Sequence, residues 1–362
     1  MNILNDTYIE PEFSDQGVKC WRLKGKDFKN EYCIISEAET RKLLSTPEIV
    51  GYEVYRCMLP GTSQMLYYLK DNGRITNANI LTILRGALNY PLEESCYREH
   101  IRVHDISFLS SERALDENGV TGLTIKYSKL ARVPGSSLLI GDIIASGETL
   151  IHCLKHVLDD YRNHQMSLRN IIIFTIGGTK AIEILEQMTE EIRSYWPDFE
   201  GFIVVYYEGI FNTYQDHGVS GINVPDVDFY WKDGAIAPDY RKQVLASRDP
   251  LFEKCVIYDG GARRYSIQEH IEEVLSFWNY MLEHADTTDF HALLEEKLGH
   301  TIPVSFDDWV KINHYTHLKT EENEWLYHQE QGFVRGLQNV TLKEIAERRI
   351  TDFTNVLRKY IL

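Results

Sequence analysis

The chain has 362 residues, 43% of them hydrophobic and 25% charged, a composition that suits a globular protein with a large core. Its 38 basic and 54 acidic residues give a net charge of −16, which argues against a nucleic-acid partner, because such a surface repels a phosphate backbone. No apolar run reaches membrane-spanning length, Met1–Asp6 lacks the pattern of a signal peptide, and the six cysteines form no Cys-x-x-Cys pair, so we expect a cytoplasmic protein with no membrane partner, disulfide scaffold or zinc ribbon.

Residues 1–35 are polar and mixed and read as a small N-terminal extension or edge hairpin. Ser36 to Leu59 reads as helical: Ser36 and Glu39 have capping-box spacing, a second helix covers residues 48–56, and Pro60-Gly61 stops it. From about residue 75 the pattern alternates. Apolar runs at Ile80–Leu84, Ile101–Leu109, Leu123–Tyr127, Leu138–Ile144, Ile171–Ile176 and Phe202–Tyr207 are separated in several places by helical stretches at Leu88–His100, Thr149–His164 and Lys180–Tyr195. This predicts an α/β fold with a mostly parallel sheet flanked by helices. Ligands of such sheets bind at the carboxyl ends of the strands, so Asp142 and the loops after Leu84 and Ile176 should share one edge. Residues 212–250 read as a loop-rich cap. From Ser266 onward the pattern is helical, with capping-box spacing at Ser266–Glu269 and Thr341–Glu344 and room for three to five helices. The expected division is residues 1–35 as extension, 36–250 as α/β domain and 251–362 as an added C-terminal helical region. His314-x-x-His317 has ligand spacing on a helix, but no acid or cysteine lies nearby in sequence, and we read the two as surface histidines.

Residues 138–150, Leu-Leu-Ile-Gly-Asp-Ile-Ile-Ala-Ser-Gly-Glu-Thr-Leu, carry the chemistry. An apolar strand leads to Asp142, then to a loop of small and hydroxylated residues, then to a helix. Such a loop offers free backbone N–H groups, Gly147 allows close approach, and the helix dipole favours an anion. Ser146 and Thr149 add hydroxyl donors, and Asp142 can accept hydrogen bonds from sugar hydroxyls beside the phosphate. The Walker A alternative fails for want of Gly-Lys-Ser/Thr. An ordinary strand–turn–helix unit is the competing reading.

This segment resembles the motif with which type I phosphoribosyltransferases bind 5-phosphoribosyl 1-pyrophosphate (PRPP): an apolar strand, two acids, two apolar residues, then Ala/Ser-Thr/Ser-Gly-x-Thr. One position departs, Gly141 standing where the first acid is usual; uracil phosphoribosyltransferases also keep a single acid, at the other position. Further segments are similar to uracil phosphoribosyltransferase in the same order: Val50–Arg56, Ile83–Leu88, Tyr127–Leu130 and Trp196–Phe199, so that the resemblance covers about residues 45 to 210. Its base-reading loop has no counterpart. Val224–Trp231 lacks the glycine-rich signature, and Asp259–Arg264 is reminiscent of it but comes later.

The resemblance implies a Mg²⁺-dependent transfer of 5-phosphoribose from PRPP to a small heterocyclic acceptor, with these two and a second copy in a homodimer as the expected partners. Ala145, Ser146, Gly147, Glu148 and Thr149 would cradle the 5′-phosphate, and Asp142 would hold the ribose. Arg85 and Gly86, in the loop after a strand, would meet pyrophosphate; a surface arginine or salt bridge is the other reading of Arg85. Arg113 and Lys129 flank a hairpin with its tip at Asp116–Gly119, which the resemblance implies closes over PRPP; solvated hairpin charges are the alternative. Gly177, Glu208 and, in the rebuilt acceptor region, Asp226 are candidate acceptor contacts, against a tight turn for Gly177 and a solvated strand-end acid for Glu208. No dedicated metal cluster is visible, and Mg²⁺ would sit on substrate phosphates. A PRPP- or nucleotide-sensing protein without turnover is the alternative function, motivated by Gly141.

Overall fold

The computed structural model describes residues 3–84, 88–116, 119–213, 229–254 and 260–360, with the backbone alone at 113–116, 119–121 and 260. Three strands open the chain, β1 (Tyr8–Asp15), β2 (Val18–Lys24) and β3 (Glu31–Ser36), followed by helices α1 (Ala38–Ser45) and α2 (Tyr52–Asp71). Strands and helices then alternate: β4 (Asn77–Ile83), α3 (Tyr90–Arg98), β5 (Arg102–Asp116), β6 (Gly119–Lys129), β7 (Ser137–Ile144), α4 (Glu148–Asn163), β8 (Asn170–Gly178), α5 (Lys180–Tyr195) and β9 (Phe202–Thr213). After β10 (Phe229–Ile236), α6 (Pro238–Val244) and α7 (Gly260–Tyr265) come α8 (Ile267–Glu283), α9 (Phe290–Leu298), α10 (Phe306–Ile312), α11 (Thr320–Gly336) and α12 (Leu342–Leu357).

The strands make one sheet of order β1-β2-β3-β9-β8-β7-β4-β5-β6, with β10 antiparallel to the end of β9. From β3 to β5 every neighbour pair is parallel. All nine residues of β8 are buried, as a strand covered on both faces requires, and its apolar run Ile171–Ile176 is the sequence trace of that burial. Adjacent residues of β9 separate the two faces. The Tyr207 hydroxyl bonds Thr62 of α2 at 2.6 Å, whereas Tyr206 points to the side on which Tyr32 of β3 donates to Glu186 of α5 at 2.9 Å.

Several sequence expectations change. Of residues 1–35, expected as a small extension or edge hairpin, β1 and β2 form an antiparallel hairpin at the edge of the sheet, and β3 continues the main sheet beside β9. Helix α2 runs through Pro60-Gly61. Pro60 is exposed, so water can take the carbonyl its ring leaves unbonded, while Val54, Met58, Met65, Leu66 and Leu69 bury the other face. The cap of α1 is Glu37, whose carboxylate accepts from the Glu39 and Thr40 amides, and not Ser36, which ends β3. Ser266 starts α8 without a side-chain cap bond, whereas the Thr341–Glu344 capping box is formed. Residues 229–244, within the expected cap, form β10 and α6. His314 and His317 lie in the turns after α10 and not on a helix. His314 is buried against Thr7, and the His317 ring stacks on Tyr8 at 3.6 Å, so the pair ties down the N-terminal strand. Among the described residues no helix is long and apolar enough to cross a membrane.

The C-terminal helices are locked to the sheet by buried charge. Glu330 of α11, fully buried, accepts from Arg241 of α6 at 2.5 Å, from His300 at 2.7 Å and from the Trp309 indole at 2.8 Å. Burial alone would push its carboxyl up, but Arg241 and His300 more than offset this and hold it below the usual range. The stabilisation is therefore present at neutral pH and is lost as pH falls through the acid range. Glu330→Ala strands a buried guanidinium and should cost about 3–5 kcal/mol, read as a lower denaturant midpoint at pH 7; an unchanged midpoint would show that the network contributes nothing.

Candidate functional site

The sheet order brings β4, β7 and β8 side by side and parallel, so their carboxyl ends share one edge. At the centre of that edge β7 ends at Ile144, and the chain turns through Ala145, Ser146 and Gly147 into α4. Gly147 has φ 80°, a left-handed conformation that glycine adopts without strain. As N-cap residue it has no side chain to satisfy the first amides of a helix of 16 residues. Among the described residues, the one side-chain partner near them is the Ser146 hydroxyl, 3.5 Å from the Glu148 amide. Ala145 and Ser146 are half-buried, Gly147 is buried, and Glu148 and Thr149 are exposed. The result is a turn that presents N–H donors and hydroxyls at the positive end of a helix dipole, suited to an anion such as phosphate.

Asp142 lies three residues before this turn, half-buried in β7. Burial pushes its carboxyl up to about 7, partly opposed by the Ile143 amide, which donates to it at 2.9 Å. Register pairs Asp142 with Thr175, and Thr175 with Tyr206, so the three share the face covered by α5. The Thr175 and Tyr206 hydroxyls are fully buried without a hydrogen-bond partner among the described residues.

Gly141 faces the opposite way, and its glycine identity has a steric cause. A Cβ built there would lie 2.2 Å from the Leu88 carbonyl oxygen and 2.5 Å from the Asn89 nitrogen. The chain leading from β4 into α3 rests its backbone directly on β7, and an acid at 141 would displace it. Leu88 is fully buried, and the Asn89 side-chain Nδ2 donates to the Thr82 hydroxyl at 3.0 Å. Leu88 and Asn89 did not stand out in the sequence, although a lone glycine in an apolar strand is the ordinary signal of close backbone approach.

The other candidates fall as follows. Arg85, Gly86 and Asp226 lie outside the described residues. Arg113 sits in β5 opposite Leu123, its side chain outside the described set. Lys129 is exposed at the end of β6, opposite Phe108, which pairs with Thr82 just before the end of β4. Since Leu109 is the partner of Ile83, the rest of β5 with its partner strand overhangs the sheet edge by roughly 20 Å at about 3.3 Å per residue. Gly177 pairs with Ile144 and fits tightly, a built Cβ lying 2.8 Å from the Ile144 carbonyl oxygen, so its role here is to seat the base of the Ala145–Gly147 turn. The Thr179 amide donates to the Phe211 carbonyl at 3.0 Å, closing the end of β8 onto β9.

Glu208 is fully buried at an irregularity of β9, with φ 66°. Its carboxylate accepts from the Glu37 amide at 3.0 Å and from the Thr40 hydroxyl, at the start of α1. Burial pushes this carboxyl up to about 8 against those hydrogen bonds. The observed contacts of Glu208 are therefore with the protein itself, and they hold α1 to the end of β9.

The close approach at Gly141 is tested by the smallest substitution. Gly141→Ala should lower stability by about 1–3 kcal/mol, read as a drop in Tm of several degrees; an unchanged Tm would mean that the Leu88 backbone does not lie where the structure places it.

No protein-family model matches this chain, and no curated protein matches it. Solved structures do. The AQ2163 protein from Aquifex aeolicus is 18% identical, with 48% of this chain and 86% of that one covered and a TM-score of 0.35. A hypoxanthine phosphoribosyltransferase from Staphylococcus aureus is 16% identical over 36% of this chain and 66% of its own, with a TM-score of 0.25. The hypoxanthine-guanine phosphoribosyltransferase of L. donovani is 16% identical over 38% of this chain and 78% of its own, with a TM-score of 0.29. Each of these likenesses covers less than half of the present chain.

Proposed function

We propose that the protein binds PRPP at the carboxyl edge of its sheet and transfers 5-phosphoribose to a nitrogenous acceptor, a nucleobase or related heterocycle, with release of pyrophosphate. The observation that carries this reading is the uncapped, glycine-led N-terminus of α4 with Asp142 three residues before its turn. In this reading the 5′-phosphate takes the amides and hydroxyls of residues 145–149, and Asp142 accepts from the ribose hydroxyls. Arg85 with Gly86 meets the pyrophosphate, and Arg113 and Lys129 on the overhanging hairpin close over it, excluding water from a substrate that hydrolyses. Gly177 and Asp226 border the acceptor, and Glu208 holds the α1 side of that wall. The similarity of residues 45–210 to uracil phosphoribosyltransferase supports the donor half of this site, and the rebuilt region at 224–231 favours an acceptor other than uracil. A homodimer accords with the commonest symmetry of soluble oligomers.

The transfer breaks the bond from the anomeric carbon to pyrophosphate as the acceptor nitrogen bonds that carbon, and positive charge builds on the ribose ring. No protein nucleophile is needed; positioning and stabilisation of the leaving group suffice. Among the described residues no three His, Cys, Asp or Glu side chains gather as a metal cage, and Asp142 spends one oxygen on its neighbour's amide. This donor set fits Mg²⁺ carried mainly by substrate phosphates and water, with Asp142 as the nearby acid. When bound, the ion would neutralise charge on the departing pyrophosphate.

A second reading, a PRPP or nucleotide sensor without turnover, is favoured by one observation: Gly141 leaves no room for a second acid. Pyrophosphate release from PRPP with Mg²⁺, across a panel of nucleobases and heterocycles, separates the two. Acceptor-dependent release that disappears in Asp142→Ala supports transfer. Asp142-dependent PRPP binding without release supports the sensor, and neither binding nor release contradicts both. Because the Asp142 carboxyl titrates near 7, its ionised fraction rises about ten-fold from pH 6 to pH 8. PRPP affinity should rise with pH over that range more steeply in the native protein than in Asp142→Asn, in which the ligand's own phosphate, with a second pKa of about 6, still titrates.

A further inference from the structure

Asn212 is the last residue but one of β9, and its side chain is half-buried. Its oxygen Oδ1 accepts from the Thr179 hydroxyl at 3.2 Å and from the Thr213 backbone amide at 2.9 Å. A backbone N–H can only donate, so the atom it meets is the amide oxygen, and the orientation of the side chain is fixed. The nitrogen Nδ2 is therefore turned away from both partners with its hydrogens still to donate. Among the described residues no acceptor meets it.

This amide sits at the corner where β8, β9 and the α4 turn meet. Gly178 of β8 pairs with Phe211, and a Cβ built on it would lie 3.6 Å from the Thr213 methyl and 3.7 Å from both the Phe211 and the Ala145 carbonyl oxygens. The end of β9 and the first residue of the α4 turn thus close on one glycine. Thr179, next in the chain, precedes α5. Its hydroxyl is spent on Asn212, and α5 starts without a side-chain cap bond. The Asn212 Nδ2 and the first amides of α5, a helix of 16 residues, are all donors. They match a ligand oxygen and refuse an amino group, whose N–H would face another N–H.

In the proposed transfer the acceptor nitrogen bonds the anomeric carbon on the side opposite to the departing pyrophosphate. The sheet order β9-β8-β7-β4 puts the end of β4 on one side of the α4 turn and the ends of β8 and β9 on the other. With pyrophosphate on the β4 side, the acceptor falls on the side of Asn212. We propose that Asn212 is a specificity-determining residue of the acceptor site: its Nδ2, aimed by the bonds of Thr179 and Thr213 to Oδ1, donates to an oxygen of the heterocycle. The acceptor it selects carries a ring oxo or carboxylate oxygen at that edge, in preference to an amino group. The inference rests on the PRPP reading, and it adds a residue that the sequence resemblance, ending near residue 210, does not cover.

The test is kcat/KM for pyrophosphate release by the full chain with acceptors in matched pairs, hypoxanthine against adenine and uracil against cytosine, each pair exchanging an oxo for an amino group. Orotate against uracil tells a carboxylate from a ring oxygen, and use of either supports the proposal. Native protein should favour the oxo member of the pair it uses by at least about ten-fold, the scale of a hydrogen bond made in one case and left unpaired in the other. Asn212→Asp keeps an oxygen for Thr179 and Thr213 and puts a second oxygen in place of the donor. It should lower kcat/KM for the oxo member roughly ten-fold or more and shrink or reverse the preference, while calorimetry finds PRPP affinity close to native. Thr179→Val removes one of the bonds that aim the amide and should give a smaller loss of the same preference. An oxo preference unchanged in Asn212→Asp would overturn the proposal. Equal losses for every acceptor, together with lost PRPP binding, would reduce Asn212 to a general support and overturn it as well. Native turnover that favours the amino members would overturn this inference alone. Native protein that releases no pyrophosphate with any acceptor would remove the transfer reading and this inference with it.

Discussion

A backbone-on-backbone contact, Leu88 against Gly141, organises this site. It is possible only because residue 141 has no side chain, and its consequences run in three directions. It seats Leu88 and Asn89, which lead into α3, on the neighbouring strand, and the ends of β4 and β7 lie side by side. It turns α3 so that Tyr90 meets Arg264 of the C-terminal region. It also uses up one face of β7, leaving the opposite face to Asp142.

The edge was legible in the sequence because parallel strands buried on both faces appear as unbroken apolar runs. The runs at 138–144, 171–176 and 202–207 became β7, β8 and β9, and the helices between them sit where a crossover fold must put them. The turn at Gly147 was legible for the same local reason, since a small-residue loop between strand and helix has few conformations open to it. What the sequence hid was long-range. Residues 8–36 look unremarkable alone and become strands only because β9 offers β3 a partner. Pro60 is a local stop signal overruled by the buried face of α2. The chemistry of Glu208 and His314 is likewise set by partners far away in the chain, Glu37 with Thr40 and Thr7, and no spacing rule points to them.

Electrostatics follows one pattern through the molecule. A chain of net charge −16 keeps its buried cations in specific work. Arg241 binds Glu330, Arg349 of α12 pairs with Glu253 and Glu48, Arg263 caps carbonyls and Arg264 sits among rings. The first three stitch the C-terminal helices to the α/β body. The α4 turn, residues 145–149, contains no Lys or Arg; in the proposed function its amides and helix dipole are what would favour an anion in an acidic protein.

The central claim is that the Ala145–Thr149 turn holds the phosphate of a sugar phosphate. Amide hydrogen exchange of residues 145–151, with and without saturating ribose 5-phosphate, tests it directly. The account predicts that the ligand slows exchange of the Glu148, Thr149 and Leu150 amides, which then donate to phosphate, and that Gly147→Val, which forbids the left-handed turn, abolishes the effect. Exchange at these amides unchanged by the ligand, with slowing elsewhere or nowhere, would contradict it.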